Sequence, residues 1–476
     1  MHPRIITLPT VDDPDSGRFG RYREALAFYE GDQWTERSRR GETRLTVNYA
    51  RTLLRKVASY LFPAPVGFAV PPLVPGDAVS EAAAHRAELL LADLSGWLGL
   101  GQLDLDLAIE AAVLGDAVMK VTWDAGSDDG AGAPVVAAVD PAAVRAWWAP
   151  DNPRRLIRVR HGYGLPGAAI ETLFPPGPLA GDASPGPVRE RPDRLPRSSV
   201  LDPEQTYQVT EEWTDTHWWV SVAGQVVRDE ANPYGWIPYV ILANNPRPHQ
   251  SWGTSDLVDL IDVCRELNRR LSVLGRILDL SGSPIAVLEN VEGSEGISVG
   301  PGAKWELPEG ARAYLLDLLG GGGVGLHVEY IDLLYRSLHD LSETPRTAFG
   351  DSGRNLSGVA LEIEIQPLIQ QVNRKRRGWE TAFQARNRRL LDLCERFGGA
   401  AIAGHRRTQT LWPDILPSDT AASIQNQVQL VSAGIRSRRS AIGTLGASDP
   451  DGELDRIVDE TKRFGGLTSE FVATLP

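Results

Sequence analysis

The chain has 476 residues, enough for two to four domains. Apolar residues make up 42% and charged residues 23%, which excludes a collagen, a wholly disordered chain and a disulfide scaffold. Lys and Arg number 49 against 62 Asp and Glu, a net charge of -13, so the chain is not built to grip nucleic acid over its whole surface. The two cysteines, Cys264 and Cys394, stand far apart in apolar-periodic stretches. They can form neither a zinc cage nor a disulfide framework, and they suit a reduced compartment. No apolar run is long enough for a transmembrane helix, and the first residues lack the apolar core of a secretory signal.

Residues 1–20 read as a loose arm. A short helix is expected over 21–28 and another up to Phe62, stopped by Pro63 and Pro65. Residues 81–98 and 103–115 have helical patterning. Strands are expected at 118–123 and 135–139, joined by a Gly- and Asp-rich hairpin loop. The segment 174–205 holds eight prolines and reads as a mobile insertion. Strands resume at 207–213 and 218–222, with a short one at 226–227. The first half is therefore an α+β body.

The pattern changes at Gly253. Ser255 and Asp256 give a helix-start signal. Leu257, Leu260, Cys264, Leu267, Leu271, Leu274 and Leu278 then alternate in steps of three and four, a heptad seam on a helix roughly 40 Å long at 1.5 Å per residue. Short strands and turns follow over 282–322. A second helix places Tyr330, Leu334, Leu338 and Leu341 on one face and ends at Pro345. A Gly/Ser/Arg loop, 346–355, leads into a long helix from Ser357, in which Pro367 predicts a kink. After Pro413 three short helices are expected, at 418–433, 437–445 and 451–463.

Several patterns suggest chemistry and are better explained without it. Gly350-Asp351-Ser352-Gly353 matches the surroundings of a serine-protease nucleophile, but that chemistry needs a His base, an Asp and an oxyanion hole on a double β-barrel. Here the motif lies between two long helices, and a loop is the better reading. Gly320–Gly323 lacks the Lys-Ser/Thr of a phosphate loop and reads as a hinge. The carboxylate pairs Glu362/Glu364 and Glu211/Glu212 read as solvated surface charge, the alternative being acid–base chemistry. The eight histidines show no metal-binding spacing. No catalytic residue, metal or cofactor is expected. The run Arg374-Lys375-Arg376-Arg377, with Arg386, Arg388, Arg389 and Arg396, allows two readings: nucleic-acid contact, or a solvated or inter-subunit face. The paired tryptophans Trp147-Trp148 and Trp218-Trp219 read as core and interface.

The order of these pieces resembles the portal proteins of tailed bacteriophages over nearly the whole chain. The resemblance is carried by Tyr29-Glu30-Gly31-Asp32-Gln33, by Val47-Asn48-Tyr49 with Tyr60-Leu61-Phe62, and by Gly115-Asp116-Ala117. It continues through Gly235-Trp236-Ile237-Pro238 with Asn244-Asn245, then Gly253-Thr254-Ser255-Asp256-Leu257 with Asn268. Ser357-Gly358-Val359-Ala360-Leu361 with Pro367-Leu368, Ala433-Gly434-Ile435-Arg436-Ser437, and Asp449–Leu454 with Glu460 complete it. Pro63 stands where the family usually has glycine.

The resemblance implies an α+β portal fold, assembled as a ring of about twelve subunits at one capsid vertex. It implies an N-terminal arm (1–20), a wing (21–250, with the 174–205 insertion, and 357–413), two stem helices (254–281 and 323–342), a clip (282–322), a tunnel loop (343–356) and a crown (414–476). Double-stranded DNA would pass through the axis without sequence recognition, by way of Arg346, Thr347, Asp351, Arg354 and Asn355. Glu289, Glu292, Glu295, Lys304 and Glu306 would form a docking surface for the terminase large subunit and for head-completion or adaptor proteins. The major capsid and scaffolding proteins would be further partners, with no membrane involved. The chain would be a virion component assembled in the host cytoplasm, and the terminase would supply ATP hydrolysis. The seam over 257–278 would pack against neighbouring stems. The acidic balance suits a channel that must not bind its cargo. A head scaffold without a channel, or a hydrolase using Ser352, are the alternatives.

Overall fold

The computed structural model describes residues 16–37, 43–127, 131–174, 202–248, 250–282, 286–290, 307, 309–315, 323–351, 358–416, 420–445 and 450–464. It is mixed α and β, with 50% helix and 21% strand, and its strands pair antiparallel throughout the described residues, consistent with an α+β class. The chain forms two compact units, residues 1–413 and 414–476.

The first unit opens with α1 (Ser16–Glu30) and α2 (Tyr49–Leu61). The Asn48 side chain accepts from the Arg51 amide and caps α2. A short strand, β1 (Gly67–Ala69), precedes α3 (Ala78–Trp97) and α4 (Leu100–Leu114). β2 (Asp116–Asp124) pairs with β3 (Ala133–Val139) as the sequence predicts. β4 (Val144–Ala149) and β5 (Asn152–Pro166) follow, then α5 (Gly167–Leu173). β6 (Thr206–Trp213), β7 (His217–Val222) and β8 (Gln225–Ala231) complete a five-stranded meander in the order β4-β5-β6-β7-β8. β9 (Tyr239–Ala243) returns to the other edge of β2, giving a separate three-stranded sheet, β3-β2-β9.

The next helix, α6 (Ile261–Gly282), starts later than expected, because residues 256–260 form a turn rather than a first helical turn. A small hairpin of β10 (Ala286–Glu289) and β11 (Arg312–Leu315) separates α6 from α7 (Gly323–Leu341). Then comes α8 (Gly358–Arg396), 39 residues running through Pro367, and β12 (Gln409–Leu411), which pairs with β1.

The first half of the heptad seam is spent inside the chain. Leu257, Leu260, Cys264 and Leu267 are fully buried against Phe28 of α1, Leu53 and Leu54 of α2, Val113 of α4 and Leu338 of α7. Each such leucine contributes about 1.5–3 kcal/mol. For these four positions the expectation of packing against neighbouring copies is corrected, since the chain's own helices already cover them; Leu278, at the far end of the seam, is 51% exposed and stays open to such a contact. Burial also pushes the Cys264 thiol up to about 12, so it behaves as a packing group.

The second unit contains α9 (Thr420–Ser432), α10 (Arg438–Thr444) and α11 (Pro450–Phe464), close to the three expected helices. Arg436 fastens it, donating to Gln427 at 2.9 Å, to Ser440 at 3.0 Å and to Thr444 at 2.8 Å.

Candidate functional site

The loop between α7 and α8 is held on a buried floor. His339, in the last turn of α7, donates through Nδ1 to the Thr344 carbonyl at 2.7 Å, and Thr344 is itself fully buried. Glu343 adopts φ 52, an uncommon conformation for a non-glycine residue, and its carboxylate pairs with Arg374 of α8. Pro345 then leads into a 3-10 turn, Arg346–Phe349, ended by Gly350 at φ 84. A chain of aromatic contacts runs beneath: Tyr49 to Tyr335 at 5.2 Å, Tyr335 to His339 at 4.7 Å, and His339 to Phe349 at 5.7 Å.

Arg346 and Asp351 are both exposed and form an ion pair at 2.5 Å, with the Arg346 guanidinium 5.2 Å above the Tyr335 ring. Thr347 is half-buried, and its hydroxyl is enclosed without a hydrogen-bond partner among the described residues. The first half of the expected loop is thus an ordered turn, its arginine neutralised locally. Ser352, Arg354 and Asn355 lie outside the described residues. Of the acidic docking set, Glu289 is exposed on β10 and accepts from the Tyr314 hydroxyl at 3.1 Å, a bond that raises the Tyr314 pKa. Glu292, Glu295, Lys304 and Glu306 lie outside the described residues.

The motifs quoted above converge on two hydrogen-bonded knots. In the first, Asn268 of α6 donates to Gln33 at 2.6 Å and accepts from the Val47 amide at 2.9 Å. Gln33 donates to Asn48 at 3.0 Å, and Asn48 donates to the Tyr29 carbonyl at 2.8 Å. Three sequence motifs thereby fasten α1, α2 and α6 together.

The second knot surrounds the approach to α6. Asp116 is fully buried, accepting from the Gly253 amide at 2.8 Å and from the Tyr22 hydroxyl. Burial raises its carboxyl pKa, opposed by those hydrogen bonds and by Arg18 and Arg21. A Cβ on Gly253 would lie 2.1 Å from the Gly115 carbonyl oxygen and 2.3 Å from that of Asn244, so only glycine fits. Asp256 accepts from Asn244 at 3.0 Å, from Asn245 at 2.7 Å and from Lys375 of α8. A cleft of about 290 Å³ beside this knot is lined by Asp256, Asn245, Arg247 and Arg374 and by loop residues Glu343 and Thr344.

Half of the basic run on α8 turns inward. Arg386 is completely buried and pairs with Asp104 at 2.5 Å. Arg376 donates to the Pro413 carbonyl at 2.8 Å with its guanidinium 4.7 Å above the Trp412 ring. Arg389 donates to the carbonyls of Ile237 and Ala385, and Arg396 to those of Tyr234 and Pro233. Arg374, Arg377, Arg388 and Arg396 remain exposed. Nucleic-acid contact by the run as a unit is corrected by this geometry, as is the solvated-face alternative for its buried members.

Glu211 and Glu212 correct another expectation. They are 5% and 2% exposed, not solvated. Neighbours on a strand point to opposite faces. Glu211 accepts from Lys120 of β2 at 2.7 Å, from Tyr163 of β5 at 2.5 Å and from Trp213 at 2.9 Å, tying the two sheets together. Burial raises its carboxyl pKa, but Lys120 and these hydrogen bonds outweigh it and hold the group below the ordinary value. Glu212 pairs with Arg158 and Arg160 on the other face, where Trp147 lies beneath both guanidinium groups. Glu362 and Glu364 are exposed, as expected. No group of residues able to hold a metal ion occurs among the described residues, and none of their helices is long and apolar enough to cross a membrane.

No curated protein matches the chain. Residues 327–464 match the family model described as phage portal protein, SPP1 Gp6-like, a stretch that includes most of α7, the loop and all of α8. That family is structural rather than enzymatic. The family match supports reading this chain as a phage portal protein.

Proposed function

We propose that the chain assembles as a ring, of about twelve subunits, that forms the DNA channel at one capsid vertex. Double-stranded DNA passes through it when the terminase packages the head and again on ejection. The family match over the loop and its two flanking helices carries this reading. In it, α6 and α7 are the stem, the β10–β11 hairpin belongs to the clip, and residues 343–356 form the tunnel loop. The body before Gly253, together with α8 and β12, is the wing, and residues 414–476 form the crown.

Arg346 and Asp351 suit a loop that slides along its cargo. Each uncompensated cation on a phosphate strengthens binding through counterion release. An arginine already paired with a neighbouring carboxylate contributes less of that grip and can exchange partners as DNA passes. The exposed Glu289 edge supports docking of terminase and, later, of head-completion proteins. The chain's acidic balance supports a channel wall that does not hold DNA.

Proheads built with and without the chain test this reading. With purified terminase and ATP, those containing it should protect added DNA from nuclease, and those lacking it should not. Arg346→Glu should keep the ring while lowering DNA retention. Equal protection without the chain contradicts the proposal. Wild type and Ser352→Ala should be equally inactive in a hydrolysis assay.

A further inference from the structure

With the first half of the heptad seam covered, the surfaces of α6 and α7 that remain open differ from each other. On α6, Asp262, Glu266, Arg269, Val273 and Arg276 recur in steps of three and four and so share a stripe. This stripe and the segments around Trp34 and Arg44 line a groove of about 220 Å³. Four arginines, Arg44, Arg265, Arg269 and Arg276, outnumber the acids Glu36, Asp262 and Glu266 in its lining. On α7, Leu326, Glu329 and Leu333 form a ridge by the same spacing, with the leucines 69% and 57% exposed. Neither Arg276 nor Glu329 has an ion-pair partner among the described residues.

We infer that the Leu326–Glu329–Leu333 ridge of one copy docks into the arginine-rich α6 groove of the next copy. Two such leucines would each cost solvation free energy if left in water, and a ridge of two leucines and one carboxylate offers a nucleic acid no cation. The surface that complements it is displayed by the same chain: Arg265 and Arg269 are paired with Glu24, Asp262 and Glu36, which leaves Arg276 to meet a carboxylate, beside an apolar step at Val273. The heights also agree. Within one copy the two helices run antiparallel, since Arg270 lies 5.3 Å from the Tyr330 ring while Leu338 packs in one cluster with Leu260 and Cys264. For copies related by rotation about an axis along this helix pair, Glu329 falls between Arg269 and Arg276 in height, and Leu326 falls beside Val273. Ridge and groove are different surfaces, so the contact is head-to-tail and closes only as a ring. The inference rests on the ring reading and names the surfaces that make it.

Charge exchange tests it. Native mass spectrometry across a dilution series compares wild type, Glu329→Arg, Arg276→Glu, the double variant and Leu333→Glu. Each single variant should need at least about tenfold more protein to assemble, and the double variant should return to within about threefold of wild type, as expected for a close interfacial charge pair. Restoration by the double variant also rules out misfolding as the cause of the single losses. A wild-type ring matched by every single variant overturns this inference and leaves the ring reading standing. A double variant no better than its parents overturns the pairing. A wild type that stays monomeric overturns both.

Discussion

Lys375 Nζ lies 2.7 Å from Asp256 Oδ2, with both side chains less than a tenth exposed. Two charges 119 residues apart are thus sealed together, joining α8 to the segment that enters α6. Asn244 shares the arrangement, accepting from Lys375 at 2.7 Å through its own side chain. In the proposed ring this is the junction between wing and stem, so a load on one helix reaches the other through a salt bridge rather than through a flexible linker.

Removing one partner strands the other. Lys375→Met should destabilise the folded chain by about 3–5 kcal/mol, because a buried carboxylate is left without its cation. Adding Asp256→Asn to it should recover at least half of that loss. Urea denaturation of the single and double variants checks both statements, and simple addition of the two losses would contradict the pairing.

Gly253→Ala should be more damaging than its size suggests. The added methyl meets backbone oxygens of both Gly115 and Asn244, and neither can move without breaking β2 or β9 pairing. A loss of about 3 kcal/mol or more is expected, in the range of backbone strain and overpacking. At Gly275, on the open side of α6, an added methyl would meet no atom of the described residues within 4 Å, so Gly275→Ala should be neutral or slightly stabilising. Thermal melting of the two variants side by side separates these outcomes.

Glu110 predicts a pH dependence. Burial, with Asp140 nearby, raises its carboxyl from 4.5 to about 8, and its Oε2 is enclosed without a hydrogen-bond partner among the described residues. The folded chain therefore holds this proton more tightly than the unfolded chain does. Between about pH 4.5 and 8 the folded state binds more protons, so this group's contribution to stability falls as pH rises. Glu110→Gln removes the ionisation. Its melting temperature should match wild type near pH 5 and exceed it by a few degrees at pH 9, at about 2–4 °C per kcal/mol. A constant gap across that range would contradict the assignment.

Much of the fold was legible because the signals are local. The β2–β3 hairpin follows from alternation on either side of a turn, and the helices of residues 414–476 follow from caps and glycines. β5 was not legible: Arg154, Arg155, Arg158 and Arg160 mask its alternation, and the register shifts at Trp147–Trp148 break it again. Glu211 and Arg386 look like surface residues in sequence, since only the tertiary partners Lys120 and Asp104 make their burial tolerable. The heptad periodicity marks the seam as apolar, but it does not reveal which helices cover its first half. The motifs around Gln33, Asn48, Gly253 and Asp256 were visible as a family pattern, and the structure supplies their reason, which is hydrogen bonding between segments far apart in the chain.

Imaging the purified full chain in vitreous ice tests the central claim most directly. The account predicts closed rings of about twelve subunits with an open axial hole wide enough for a DNA duplex, and with Arg346 facing that hole. Monomers, open filaments or a ring with Arg346 on its outer wall would contradict it.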